Sequence, residues 1–406
     1  MAETLHMKSS SLGLIPNDWE VFSLGELGDV KMCKRVMKHQ TQSSGEIPFY
    51  KIGTFGCTPD AYISRELFSD FRSRFSYPKK GDILLSAAGT IGRTVVFDGQ
   101  DAYFQDSNIV WIDNKENKVL NCFLYYCYKV MKFHTENGGI VVRLYNENLR
   151  NTTFAAPKSL AEQKRIADAL SGVDKLIDSF DEAIAKKQQI KEGLMQQLLT
   201  GKTRLPGFRC EWKEVRLGDI FDFYKGTGLS KADIDSTGNN RCILYGDIFT
   251  KYDIEVKGDL SRTNCSIGTP SVKGDLLMPG STTTVGIDLV KAVFVNDDNI
   301  RLGGDIIILR KKEQVDSAFF AMLISNVSRN AVAEKTQGTT IIHLHGKNLT
   351  DIRYYVPESE HEQNEISKII SIADADIEEH LYKMNKLLLL KQGLMQELLT
   401  GKTRLI

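Results

Sequence analysis

IKEGLMQQLLTGKTRL at 190–205 and LKQGLMQELLTGKTRL at 390–405 share 13 of 16 positions, at an offset of 200 in a chain of 406 residues. A repeat whose period is half the chain fixes the architecture before any single motif is read, so the chain is two copies of one unit. Upstream the copies can be traced further. Trp19–Gly25 (WEVFSLG) matches Trp212–Gly218 (WKEVRLG) at an offset of 193, as Gly81-Asp82-Ile83-Leu84 matches Gly274-Asp275-Leu276-Leu277. By Gly138 and Gly338 the offset is 200, so the second copy carries about seven extra residues in its middle. From there GGIVVRLYNENL parallels GTTIIHLHGKNL, and Pro157 parallels Pro357.

The quoted phrase closes a helix. Each helix opens with a capping box, Ser159-Leu160-Ala161-Glu162 or Ser359-Glu360-His361-Glu362, in which the serine hydroxyl accepts from an orphan N–H and the glutamate reaches back. Heptad spacing follows. Ile166, Leu170, Val173, Ile177, Phe180 and Ile184 step by alternating fours and threes, and the alternation continues through Lys187 and Lys191 to Leu194 and Leu198. The second copy keeps register at Ile366, Ile370, Ala373, Ile377, His380, Met384, Leu387, Lys391, Leu394 and Leu398. Gly201 and Gly401 stop the helices. Each rod is roughly 60 Å long at 1.5 Å per residue. Such seams are not stable alone, so the two are expected to pair as an antiparallel coiled coil.

Short β-branched and aromatic runs, IVWI at 109–112, GIVVRLY at 139–145 and DIIIL at 305–309, read as strands in the bodies before the helices. Helical stretches are expected around 118–134 and 316–335. The expected class is α+β: two globular bodies (1–158 and 206–357), each followed by a spacer helix (159–205 and 358–406), related by a pseudo-two-fold repeat. Because the first helix leaves through Leu205-Pro206 to Trp212 while the chain opens with Ile15-Pro16 to Trp19, the end of copy two can flow into the start of copy one.

Composition restricts the function. Fifty-two basic and 52 acidic residues leave no net charge, so nothing at whole-chain level argues for a nucleic-acid partner. The seven cysteines form no CxxC pair; Cys122 and Cys127, in an aromatic run, read as buried reduced thiols. The N-terminus lacks the apolar core of a signal peptide, and no window approaches 18 apolar residues, so a cytoplasmic location without membrane contact is expected. Gly201-Lys202-Thr203 looks like the end of a phosphate-binding loop, but Gln196 stands where that loop needs glycine, and Gln396 does in the other copy. There is no Pro-Pro, HExxH or GxSxG.

Three segments carry binding chemistry. The loops SAAGTIGRT (86–94) and MPGSTTTVGID (278–288) combine glycine, which allows close backbone approach, with hydroxyls and Arg93 for phosphates and base edges; they read equally well as hairpin turns. FSDFRSRFSYPKKGD (68–82) interleaves basic and aromatic residues, as a nucleic-acid face or a solvated loop does. His343 and His345 lie two apart on an apparent strand and could ligate a metal. Arg143 and Tyr145 occupy those places in the first copy, which favours a polar readout surface.

A helix that opens PxSxxEQ, closes GLMQxLLTGKTRL and occurs behind each of two dissimilar bodies resembles the DNA specificity subunit of type I restriction-modification systems. The carrying residues are Pro157, Ser159, Glu162, Gln163 and 193–205, with Pro357, Ser359, Glu362, Gln363 and 393–405. The resemblance implies two target recognition domains that each read half of a split double-stranded DNA target, with the helices as spacer. It implies no catalysis, metal or cofactor in this chain. S-adenosylmethionine would sit on two modification subunits, and ATP and Mg on two restriction subunits. Under it Lys79, Lys80, Thr90, Arg93, Arg143, Asn146, Thr282, Thr283, Thr284, His343 and Lys347 are the candidate DNA contacts. A coiled-coil scaffold whose globular ends bind proteins or sugars is the alternative, and an enzyme with an unrecognised site a third reading.

Overall fold

The computed structural model describes residues 6–133, 143–327, 329–338 and 340–405. They form two compact units. One comprises Met1–Asp181 with Lys383–Ile406, the other Glu182–Tyr382. Each therefore holds one globular body, the start of one long helix and the end of the other.

The bodies are built alike. In unit 1 the central antiparallel sheet runs Val30–Met32, Ile109–Ile112, Ile83–Ser86, Thr94–Val96. In unit 2 the same order is Phe221–Lys225, Ile306–Lys311, Leu276–Pro279, Val293–Phe294. Ile83–Ser86 and Leu276–Pro279 are buried at every residue, as expected of strands with both faces covered. A second sheet adds one parallel pairing in each unit, Phe49 opposite Tyr103 and Cys242 opposite Arg301.

Helices cover the central sheets. The stretch expected at 118–134 forms over Asn121–Val130. That expected at 316–335 forms over Ser317–Asn326 and again over Arg329–Ala333. Most of 139–145 lies outside the described residues; Arg143 makes a bridge to Ala88. Cys127 is buried, where desolvation pushes its thiol well above the ordinary range, but Cys122 is exposed, contrary to expectation.

The long helices span Leu160–Leu198 and Glu360–Leu398. Every heptad position is shielded. Ile166, Leu170, Ile184 and Leu198 are buried, and Val173, Ile177, Phe180, Lys187, Lys191 and Leu194 half-buried. In the second helix Ile366, Ile370, Ile377 and Leu398 are buried, with Ala373, His380, Met384, Leu387, Lys391 and Leu394 half-buried. Within each unit the two helices run antiparallel. In unit 2, Leu198 and Leu199 share a core with Ile366 and Ile370 and with Trp212, Phe221 and Leu276. In unit 1, Leu398 and Leu399 share one with Ile166, Leu170, Trp19 and Leu85. Burying one such Leu or Ile contributes about 1.5–3 kcal/mol, so the helix ends are part of each body's core.

Lysine on an apolar seam is explained by its partner. Lys191 is ion-paired with Asp374 in unit 2, and Lys391 with Asp174 in unit 1, the repeat-equivalent pair with the two helices exchanged. Burial pushes the Asp374 carboxyl above its ordinary value against the pull of Lys191. Lys187 adds a pair with Asp376 in unit 2.

Candidate nucleic-acid interface

In unit 1 the buried strand Ile83–Ser86 runs into the loop 87–93. Ser86 organises it: its hydroxyl donates to the Thr90 carbonyl at 2.5 Å and accepts from the Arg93 N–H at 2.9 Å. The Ala87 N–H donates to Asn108 at 2.8 Å, and its carbonyl accepts from Leu144 N–H at 2.8 Å. Arg143 is exposed and donates to Asn108 Oδ1 at 3.3 Å. Thr90 is exposed, and Arg93 is tied to the Phe55 carbonyl at 2.9 Å. Asn146 opens the short helix Asn146–Asn151 next along the chain.

Unit 2 repeats the arrangement with other side chains. Gly280 follows the buried strand, and its carbonyl accepts from Leu344 N–H at 2.9 Å. Ser281–Thr282 pairs with Ile342–His343. The Thr282 and Thr284 hydroxyls lie 2.9 Å apart, and Thr284 also bonds Asp288, while Thr283 is exposed. The His343 and His345 rings stack parallel, with centroids 6.2 Å apart. Lys347 is exposed on the following turn. Among the described residues no cluster of His, Cys, Asp or Glu could hold a metal ion.

The residue offset between equivalent positions is 193 at Ala88 and Ser281. It is 198 at Phe97 and Val295, which make matching bonds to Asp82 and Asp275. Five of the extra residues of the second copy thus fall in this loop, where unit 2 inserts the turn Gly286–Leu289.

Thr90, Arg93 and Arg143 therefore gather at one end of the unit 1 sheet, and Thr282, Thr283, Thr284 and His343 at the matching end of unit 2. Lys79 and Lys80 do not join them. They precede Ile83–Ser86 and so lie at the opposite end of that strand. The basic-aromatic segment before them makes contacts within unit 1. Phe68 is in a core, and Arg72 is paired with Asp101 and lies 5.0 Å from the Tyr77 ring.

A further pair of residues was hidden in the repeated phrase. In unit 2 Arg204 donates through Nε and Nη2 to both oxygens of the fully buried Glu362, each at 2.8 Å, and Trp212 Nε1 donates to the same carboxylate at 3.3 Å. In unit 1 Arg404 donates to Glu162 at 2.6 and 2.8 Å and bonds Asp18 as well. Glu162 and its hydrogen bond hold the Arg404 guanidinium well above its ordinary pKa, and Arg404 holds the Asp18 carboxyl below its own. The capping box of the first copy is thus half right, since Glu162 N–H donates to Ser159 Oγ at 3.3 Å, but in both copies the glutamate carboxylate belongs to an arginine. The next residue keeps its place too, with Gln163 donating to the Pro157 carbonyl at 2.7 Å and Gln363 to that of Pro357 at 2.9 Å. Gly201 and Gly401 have positive φ, and a Cβ would lie 3.0 Å from the Trp212 ring or 2.5 Å from Pro16, so these junctions require glycine.

The sequence pattern of the type I restriction modification DNA specificity domain matches this chain twice, over residues 16–192 and 210–384. The chain belongs to the type I restriction-modification specificity subunits. A Haemophilus influenzae protein named as a type I restriction enzyme specificity subunit is 57% identical over 165 residues, 41% of this chain and 43% of that protein. The MjaVIII specificity subunit of Methanocaldococcus jannaschii is 23% identical over 420 residues, 96% of this chain and 94% of its own. Among solved structures, the S subunit from M. genitalium superposes with a TM-score of 0.61 at 15% identity, covering 97% of this chain and 98% of that one. A chain from a study of complex assembly and conformational transition of the type I system gives 0.58, also at 15%, over 96% and 99%. The specificity-subunit fold is thus retained where sequence likeness is low.

Proposed function

We propose that this chain is the non-catalytic DNA-reading subunit of a type I restriction-modification complex. Each unit reads one half of a bipartite double-stranded target, and the long helices set the spacing and dock two modification subunits. S-adenosylmethionine is bound by those subunits, ATP and Mg by two restriction subunits, and the assembly works in the cytoplasm; no helix among the described residues is long and apolar enough to cross a membrane. The observation that carries this reading is a shared skeleton with unlike edges. Leu144 and Leu344 make the same bond to loops whose side chains differ, as two readers of different bases held by one frame would. Zero net charge accords with it, since partner subunits closing around DNA supply phosphate neutralisation.

Changing the helices by whole turns tests it. Four residues added within 166–198 and within 366–398 lengthen the spacer by about 6 Å, roughly two base pairs. Methylation mapping of cells carrying the altered complex should show two unchanged half-sites with a wider gap. Altered half-sites with an unchanged gap would refute the spacer role. Turnover by the purified chain alone would refute the non-catalytic one.

A further inference from the structure

The two readout edges align through bonds rather than through letters. Ala88 is bridged to Arg143, and Ser281 is paired with His343. Ala88 and Ser281 stand 193 residues apart, and Arg143 and His343 stand 200 apart, each the offset of its own part of the repeat. Arg143 and His343 are therefore one position of the fold occupied by two residues. The residue after each is buried, Leu144 at 5% and Leu344 at 2% exposure. Tyr145 and His345, next along, are exposed, as Arg143 is, while His343 is half-buried. This out-in-out alternation places 143 with 145, and 343 with 345, on one outward face.

We propose that Arg143 with Tyr145, and His343 with His345, are equivalent base-reading pairs that set the bases recognised by their own unit; this rests on the function proposed above. Three observations carry it. The backbone at these positions is fixed identically in both units, by the bonds to Ala87 and Gly280, so a difference in side chain translates directly into a difference in surface. The side chains are pre-oriented, Arg143 by Asn108 Oδ1 and His343 by the parallel ring of His345. Their chemistry is that of major-groove readout: a guanidinium matches guanine O6 and N7 in a bidentate pair, while a neutral imidazole offers one donor and one acceptor. Arg143 is expected to read a guanine.

The test uses the full chain assembled with its modification subunits and a pool of randomised DNA duplexes, sequenced after selection. R143A and the charge-keeping R143K should each lose guanine preference at one position of one half-site, with discrimination falling roughly 5- to 100-fold, and leave the other half-site intact. H343A and H343Q should relax only the other half. Melting curves of the lysine and glutamine variants separate lost reading from lost folding. If the wild type selects two half-sites and correctly folded R143K and H343Q select the same ones undiminished, the assignment is overturned. It is also overturned if R143A weakens all duplexes equally and lowers the salt slope by about one, the mark of a phosphate contact. A wild-type complex with no base preference would instead overturn the function on which the assignment rests.

Discussion

The junctions of the two units solve one problem with different means. In unit 2 the arginine that neutralises buried Glu362 reaches it from eight residues before Trp212, on a continuous piece of chain. In unit 1 the same geometry is assembled from residues at opposite ends of the sequence, Arg404 with Asp18 and Glu162, and no peptide bond joins the pieces. Side-chain chemistry, not connectivity, fixes the arrangement. The solutions differ in how well they are backed. Trp212 Nε1 donates to Glu362, whereas Trp19 Nε1 finds no partner among the described residues.

That difference makes the largest prediction. R404A strands the Glu162 carboxylate with no other charged donor among the described residues and is expected to cost about 3–5 kcal/mol. R204A should cost less, because Trp212 still donates and Arg204 is the more exposed of the two. Thermal melts of the two variants decide it; equal losses would show that the tryptophan bond contributes nothing.

The buried aspartates that cap the central strands come next. Asp275 is held by Arg310 through two bonds of 2.9 and 2.7 Å. Asp82 is buried with no arginine or lysine partner among the described residues; desolvation raises its carboxyl above the ordinary value against the pull of the Lys79 N–H, and Asp113 nearby adds to the rise. A raised folded-state pKa adds stability that is fully present below the unfolded value, about 3.9, and is lost as pH rises through the folded one. D82N, which keeps an acceptor for the Lys79 N–H, should therefore stabilise unit 1 at neutral pH and flatten that part of its pH dependence. D275N should destabilise unit 2 by about 2–3 kcal/mol. Denaturation of each variant between pH 4 and 8 reads both signs.

The smallest effect is at the seam. Asp174 has Lys391 and also the Tyr126 hydroxyl at 2.8 Å, while Asp374 keeps Lys191, beside a cavity of about 560 Å³ that Met322 helps to line. K191M should cost more than K391M, and Y126F, at about 1 kcal/mol, should narrow the gap between them.

What could be read from the sequence was what repeats along it. The heptad seam was legible at every position because burial recurs each turn, and Gly201 and Gly401 were legible because a helix end has its own chemistry. The Arg204–Glu362 pair was not, since Glu362 three residues after Ser359 has a plausible local use and its true partner is 158 residues away. Nor could sequence show that Lys79 and Lys80 lie apart from Thr90 and Arg93, because the four are neighbours in the chain and are separated by the length of a strand. Of the readout edge, residue types were visible, but the equivalence of Arg143 and His343 needed the backbone bonds that define it.

The discontinuity of unit 1 has a consequence for the order in which the molecule is made. Unit 2 is one unbroken stretch and is complete once Tyr382 has left the ribosome. Unit 1 comes first along the chain, but the residues from Lys383 to Arg404 that complete its core are released only after the whole of the second unit. The unit that comes first along the chain is thus completed after the one that follows it, and a stop shortly before Arg404 would take the partner of Glu162 and Asp18 from unit 1 while leaving unit 2 whole.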